Sequence, residues 1–282
     1  MDFNRPVKLK INATDYLDLN SLASVRAGSD PLSGYKLESA NYAAVQTAGY
    51  VDKAALRDGV DVTESYLGGR NIELVVSVYG STIGDFWDRI DALSSATQPM
   101  PAEFSSDYGI RPLRFYQPSW NLLSDFPDGI ELDMNVRPVS LPVYGVSRRN
   151  SIGKPTHGFS QPVQLRFLAP NPRKTLSTAR VLASAYTTHR GSATVYPLLS
   201  KASCTAGQSV TFNWSSGGKI STVVVTAIAA GAISIDMATM GQTNCRINHA
   251  ATSGDFLVYP GIVTYGLSTT SGGIITFTEA WL

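Results

Sequence analysis

Period-two alternation of apolar and polar residues recurs along most of this chain, and one stretch replaces it with a long helical period. Ile72, Leu74, Val76 and Val78 alternate with Asn71, Glu73, Val75 and Ser77, the pattern of a strand with one firmly apolar face. After Tyr79-Gly80-Ser81 the spacing changes: Ile83, Phe86, Trp87, Ile90 and Leu93 recur as one helical stripe. Thr82 stands three residues before Asp85, the spacing of a capping box, and Asp85 and Arg89 are placed to pair across one turn. The expectation is a strand that turns into an amphipathic helix lying on its own sheet. Ile72, Leu74, Val76, Val78, Phe86, Trp87, Ile90 and Leu93 would form the core of a first domain.

A strand that enters a helix through a glycine turn is also how phosphate cradles begin. That chemistry asks for several glycines, whose backbone N–H groups surround the anion, and for a lysine that reaches it. Here Gly80 stands alone, no lysine follows, and Asp85, Asp88 and Asp91 would repel a phosphate at the helix start. A structural corner is expected.

The alternation continues elsewhere. Val7 to Asn12 alternates, Leu113 and Phe115 share a face, and Ile130, Leu132, Met134 and Val136 recur at period two. Val163, Leu165 and Phe167 do the same later, as do Val210, Phe212 and Trp214. Short strands separated by Gly and Pro-Gly predict a sandwich or barrel in the second half. The charged fraction of 16%, below the usual quarter or so, and the 24 glycines suit a turn-rich β chain. The weakly polar run from Val223 to Ile235 is too short to span a bilayer and reads as a hairpin. The opening residues, MDFNRPVKLK, lack the apolar core of a signal peptide.

Charge divides the chain. Residues 1–145 hold 12 basic and 19 acidic residues, net −7; residues 146–282 hold 11 and 3, net +8. The break falls in GVSRRNSIGKPTHGFS, Gly145 to Ser160, which mixes Gly, Ser, Pro and cations. This predicts a first domain over 1–145, a linker over 146–160 and a second domain over 161–282.

Little in the sequence points to catalysis. Cys204 and Cys245 are the only cysteines and His157, His189 and His249 the only histidines, so no metal site and no cofactor are expected. Two buried free thiols are favoured over a disulfide. No GxSxG, HExxH or GxGxxG occurs, and no acid in the first half has a histidine beside it, so no catalytic residue is assigned and no enzyme is expected. Ala169 to Lys174, APNPRK, reads as a rigid exposed loop. Trp120, Trp214 or Tyr259 could build a sugar platform, although aromatics in sandwiches are more often core.

Four stretches together carry a resemblance. GGRNIELVVSVYGSTIGDFWDRIDAL, LRFLAPNPRK, GSATVYPLL and the closing GDFLVYPGIVTYGL…GGIITFTEAWL resemble, in order and spacing, the distal tail protein family of long-tailed, non-contractile bacteriophages. Pro260-Gly261 is followed by IVTY, where that family often has an Asn that tightens the turn. The resemblance implies a mainly β chain. Its N-terminal part would be a tail-tube-like split β-barrel or sandwich with one packed helix, and its C-terminal part a galectin-like β-sandwich. It further implies a homo-hexameric ring at the virion tail tip, assembled in the host cytoplasm. The ring would join the tail tube protein to the tip hub and its adhesion proteins, without cofactor or membrane. DNA would pass through the channel without being specifically bound. The acidic segment with Asp52, Asp58, Asp61 and Glu64 is then expected to face that channel, where like charge keeps phosphates from sticking. The alternative reading is a carbohydrate-binding adhesin that uses the C-terminal sandwich to attach to a host surface.

Overall fold

The computed structural model describes residues 4–23, 33–43, 47–53, 60–100, 102–117, 129–144, 159–176, 180–182, 186–265 and 273–281. The chain is mainly β and divides into two compact units, Met1–Lys174 and Thr175–Leu282.

The first unit contains β1 (Val7–Lys10), β2 (Tyr16–Asp18), β3 (Gly34–Tyr42), β4 (Thr47–Lys53), β5 (Val60–Leu67), β6 (Arg70–Gly80), α1 (Ile83–Ala96), β7 (Arg111–Gln117), β8 (Ile130–Pro138), β9 (Val143–Tyr144) and β10 (Phe159–Ala169), and ends where β11 (Lys174–Leu176) begins. Its main sheet runs β2-β1-β7-β8-β10-β6-β3, with β9 added to β10. β8 meets β10 only at Pro138↔Phe167 and Arg137↔Leu168, so two wings share that strand. Alternation puts Val7, Leu9, Leu113, Phe115, Leu132 and Met134 inside on one wing and Ile72, Leu74, Val76, Val163, Leu165 and Phe167 inside on the other. The sheet path ends at β2 and β3, so the expected split barrel is an open one. β4 and β5 pair in a separate two-stranded sheet.

Helix α1 lies over β6, as its stripe foretells. Phe86, Ile90, Leu93 and Ala96 are buried, each large side chain stabilising by about 1.5–3 kcal/mol. A Cβ on Gly80 would collide with the backbone N and Cα of Phe86, so only glycine lets the helix start this close to the strand. Trp87 departs from expectation: it is 55% exposed, and Ile83 is 59% exposed. Successive helical residues project about 100° apart. Phe86 and Trp87 therefore cannot both face the sheet, and the stripe that includes Ile83 and Trp87 is wider than the contact.

The expected boundary also moves. β10 pairs with β6 along its whole length, from Phe159↔Gly80 to Ala169↔Arg70. Residues 161–174, assigned above to the second domain, therefore complete the first unit's sheet. The polar, Pro-containing stretch before them reads as a linker, but it is followed by a strand of the same unit. Residues 145–158 themselves lie outside the described residues.

The second unit is a β-sandwich. It contains β12 (Arg180–Leu182), β13 (Tyr186–His189), β14 (Leu198–Cys204), β15 (Ser209–Ser216), β16 (Lys219–Ala227), β17 (Gly231–Asp236), β18 (Gly241–Thr243), β19 (Cys245–Ile247), β20 (Gly261–Tyr265), β21 (Gly273–Phe277) and β22 (Ala280–Trp281). One five-stranded sheet runs β12-β21-β14-β17-β18 and the other β13-β20-β15-β16-β19. Leu199, Ile233, Ile235, Ile275 and Phe277 from the first meet Val210, Phe212, Trp214, Val223, Val225 and Val263 from the second in one core. The hairpin read in Val223 to Ile235 spans the end of β16 and β17, which belong to different sheets.

Candidate functional surfaces

The corner between β6 and α1 is closed to anions by its own carboxylate. Thr82 is the N-cap, and its side chain accepts from the N–H of Asp85. Asp85 Oδ2 in turn accepts from the Ser81 N–H at 2.8 Å and from the Ser33 hydroxyl, and Arg89 Nε lies 3.0 Å from Asp85 Oδ1. The Ser33 and Ser81 hydrogen bonds, aided by Arg89, hold this carboxyl below its ordinary range. A carboxylate thus already uses the donors a phosphate would need. Among the described residues no cluster of His, Cys, Asp and Glu could hold a metal ion, and no helix is long and apolar enough to cross a membrane.

The acidic segment lies on the β4–β5 hairpin. Its register sets Asp52 directly opposite Asp61 and Glu64 opposite Tyr50. Asp58 lies outside the described residues.

The charge division does not follow the units. The first unit holds 18 basic and 19 acidic residues, net −1, and the second 5 and 3, net +2. The basic excess of the chain's second half lies largely in Arg148, Arg149, Lys154, Arg166, Arg173 and Lys174, all before the division between units.

The aromatic candidates separate. Trp214 is fully buried, and its indole Nε1 donates to the Leu257 carbonyl at 3.1 Å, so it is core and not a platform. Tyr259 donates its hydroxyl to Asp255, while Lys219 Nζ donates to both at 2.7 and 2.9 Å. This network, not a sugar, engages the polar end of Tyr259. Trp120 lies outside the described residues.

Several charges in partly or fully buried settings were not singled out in the sequence. Arg114 grips Asp133 with two hydrogen bonds of 2.8 and 2.9 Å across the β7–β8 pair. In the second unit Glu279 is fully buried against Arg190, accepting from its N–H at 2.6 Å and from Nη2 at 3.1 Å. Both acids sit on alternating strands or beside one, where charge alone gives no hint of a partner. Arg70, at the start of β6, is 9% exposed.

No protein-family model matches the sequence, and no curated protein matches it. The Dit protein of phage SPP1, described as a paradigm of the hub adsorption apparatus in phages that infect Gram-positive bacteria, has a similar structure. It matches with a TM-score of 0.54 and 16% identity, covering 88% of this chain and 94% of its own. A chain of the phage p2 baseplate in its activated conformation matches with a TM-score of 0.46 and 7% identity, over 97% of each chain. The chain thus shares the fold of the Dit protein across both units.

Proposed function

We propose that this protein is a structural component of a phage tail tip, a ring that joins the tail tube to the adhesion hub. The observation that carries this reading is the fold shared with the Dit protein over both units. The stretches that resemble distal tail proteins fall on β6–α1, on β10 and its following loop, on the segment entering β14, and on β20 to β22. In this reading six copies close the ring, the first unit builds it, and the galectin-like second unit meets the tube or hub proteins. No step of the function needs a reaction. The β4–β5 pair faces the channel, where Asp52, Asp58, Asp61 and Glu64 outnumber Lys53 and Arg57, so that a passing DNA phosphate meets net like charge.

Negative-stain imaging of the purified full chain is expected to show sixfold rings with a central hole. A protein that light scattering finds monomeric at every concentration overturns the reading. The adhesin reading lacks Trp214 as a platform.

A further inference from the structure

The wing that buries Leu9, Leu113 and Met134 opens, on its outer face, into a cleft of about 520 Å³. Strands lay its floor. Pro112 of β7 stands directly opposite Asn135 of β8, and Lys10 of β1 lines the same cleft. The pairing of β1 with β7 stops at Leu9↔Leu113, one residue short of Pro112, which has no N–H to extend it. The wall is a short 3-10 helix, Ala102–Asp107, with the bend that follows it, and it supplies Ser106, Asp107 and Tyr108. This wall is anchored. Gly109 donates its N–H to the Phe104 carbonyl at 2.8 Å, and the buried Arg111 sets its guanidinium over the Phe104 ring while donating to the Gln98 carbonyl. A Cβ on Gly109 would lie 2.0 Å from the Pro99 carbonyl oxygen, so the bend admits only glycine there.

Two features set the cleft apart. Tyr108 occupies the left-handed region, with φ +56°, which is uncommon for a bulky side chain, and it is 69% exposed. The bend thus presents an aromatic residue to solvent at a conformational cost. The polar groups are also unspent. Among the described residues the Asp107 carboxylate, the Ser106 hydroxyl and the Asn135 amide have no hydrogen-bond partner, and Lys10 Nζ only approaches the Tyr16 ring, 6.0 Å from its centre. Lys10 and Asp107 line one cleft without pairing with each other, whereas on the same unit Arg114 is held by Asp133 and Arg89 by Asp85.

We propose that this cleft binds a neutral saccharide. One cation and one anion balance in it, which favours a neutral ligand over a phosphate or a carboxylate. The ammonium only donates, the carboxylate only accepts, and the amide does both. A ring of neighbouring hydroxyls, each able to donate and accept, satisfies all three at once, and its C–H face finds apolar surface on Tyr108 and Pro112. The volume falls within the range of small-molecule sites. The site lies wholly within the first unit and needs no second copy of the chain.

The test is saturation-transfer NMR of the full chain with the methyl glycosides of glucose, galactose, mannose and N-acetylglucosamine. Binding of at least one is expected. Asp107→Asn should weaken it at least about tenfold, the loss of a hydrogen bond to a charged group, and Tyr108→Asn should weaken it as well. Asparagine enters the left-handed region more readily than tyrosine. Tyr108→Asn should therefore melt at or above the wild-type temperature while binding less, which a tyrosine serving only the turn would not do. If no glycoside receives saturation from the wild type, or if both variants bind as the wild type does, the proposal is overturned. If glycerol phosphate binds, Lys10→Gln abolishes that binding and no glycoside binds, the occupant is an anion and the saccharide assignment is wrong. Should Asp107→Asn fail to fold, Tyr108→Asn decides by the same criterion.

Discussion

Phe86 and Trp87 touch edge to face, their ring centroids 5.5 Å apart at 71°, yet one is buried and the other is mostly in solvent. Adjacent residues of α1 thus have opposite duties. Phe86→Ala should cost about 3–5 kcal/mol by opening a cavity under the helix. Trp87→Ala should cost no more than about 1 kcal/mol in the unassembled protein, since a surface side chain away from caps and strain contributes little. Urea unfolding of dilute protein separates the two, and equal losses would show that the helix is rotated from the position described.

The Arg190–Glu279 pair should be asymmetric under mutation. Glu279→Gln keeps the size of the side chain but removes the carboxylate that faces the buried Arg190 guanidinium. A loss of about 3–5 kcal/mol in the stability of the second unit is expected. Chemical denaturation checks it, and a change below about 1 kcal/mol would mean that the pair is hydrated.

Acid should weaken the second unit through His189. Its Nδ1 accepts from the Gly191 N–H at 3.1 Å, which leaves the Nε2 proton facing the Ala193 carbonyl at 2.9 Å. Protonating Nδ1 would set two N–H donors against each other. Burial pushes the imidazole below its ordinary 6.5, against the opposing pull of the Ala193 carbonyl and the Glu279 carboxylate. Arg190, next in sequence and paired with Glu279, is the other charge nearby. Because the folded value lies below the unfolded one, the unfolded chain binds the extra proton first. Stability is then full above about pH 6.5 and falls as the pH drops below it. Melting curves between neutral and mildly acidic pH should show this fall, and His189→Gln should flatten it. A melting temperature that rises on acidification would contradict the assignment.

Both cysteines should be inert until the sandwich opens. Cys204 and Cys245 are free and buried, the Cys245 Sγ points at the Ser234 carbonyl 3.6 Å away, and burial pushes its thiol up. A thiol-specific chromogenic reagent should find no reactive group in the native protein and both after denaturation, since only the thiolate attacks. Rapid native labelling of either would refute this packing.

The parts of the fold legible in the sequence are those set by short-range periodicity. Ile72, Leu74, Val76 and Val78 are all fully buried. Thr82 caps α1, and Asp85 pairs with Arg89. Such features depend on neighbours within a turn or on one face of a strand. Trp87 misled because apolar character alone does not say how wide a helix contact is. The junction misled because a polar loop looks alike whether it leads to a new unit or back to the old sheet, and only the long-range pairing of β10 with β6 distinguishes them. Arg70 and Glu279 were invisible as buried charges for the same reason: their surroundings come from strands distant in sequence.

The pairing of Gly80 with Phe159 also has a bearing on how the chain is made. One edge of β6 is covered by β3, which is synthesised earlier, but the other edge must wait for β10. During translation the ribosome therefore releases α1, β7 and β8 while that edge still lacks its partner. Unpaired strand edges are where nascent chains associate wrongly. A fragment cut at residue 145 would freeze the chain in that unfinished state, whereas one extended through Lys174 carries the strand that ends it.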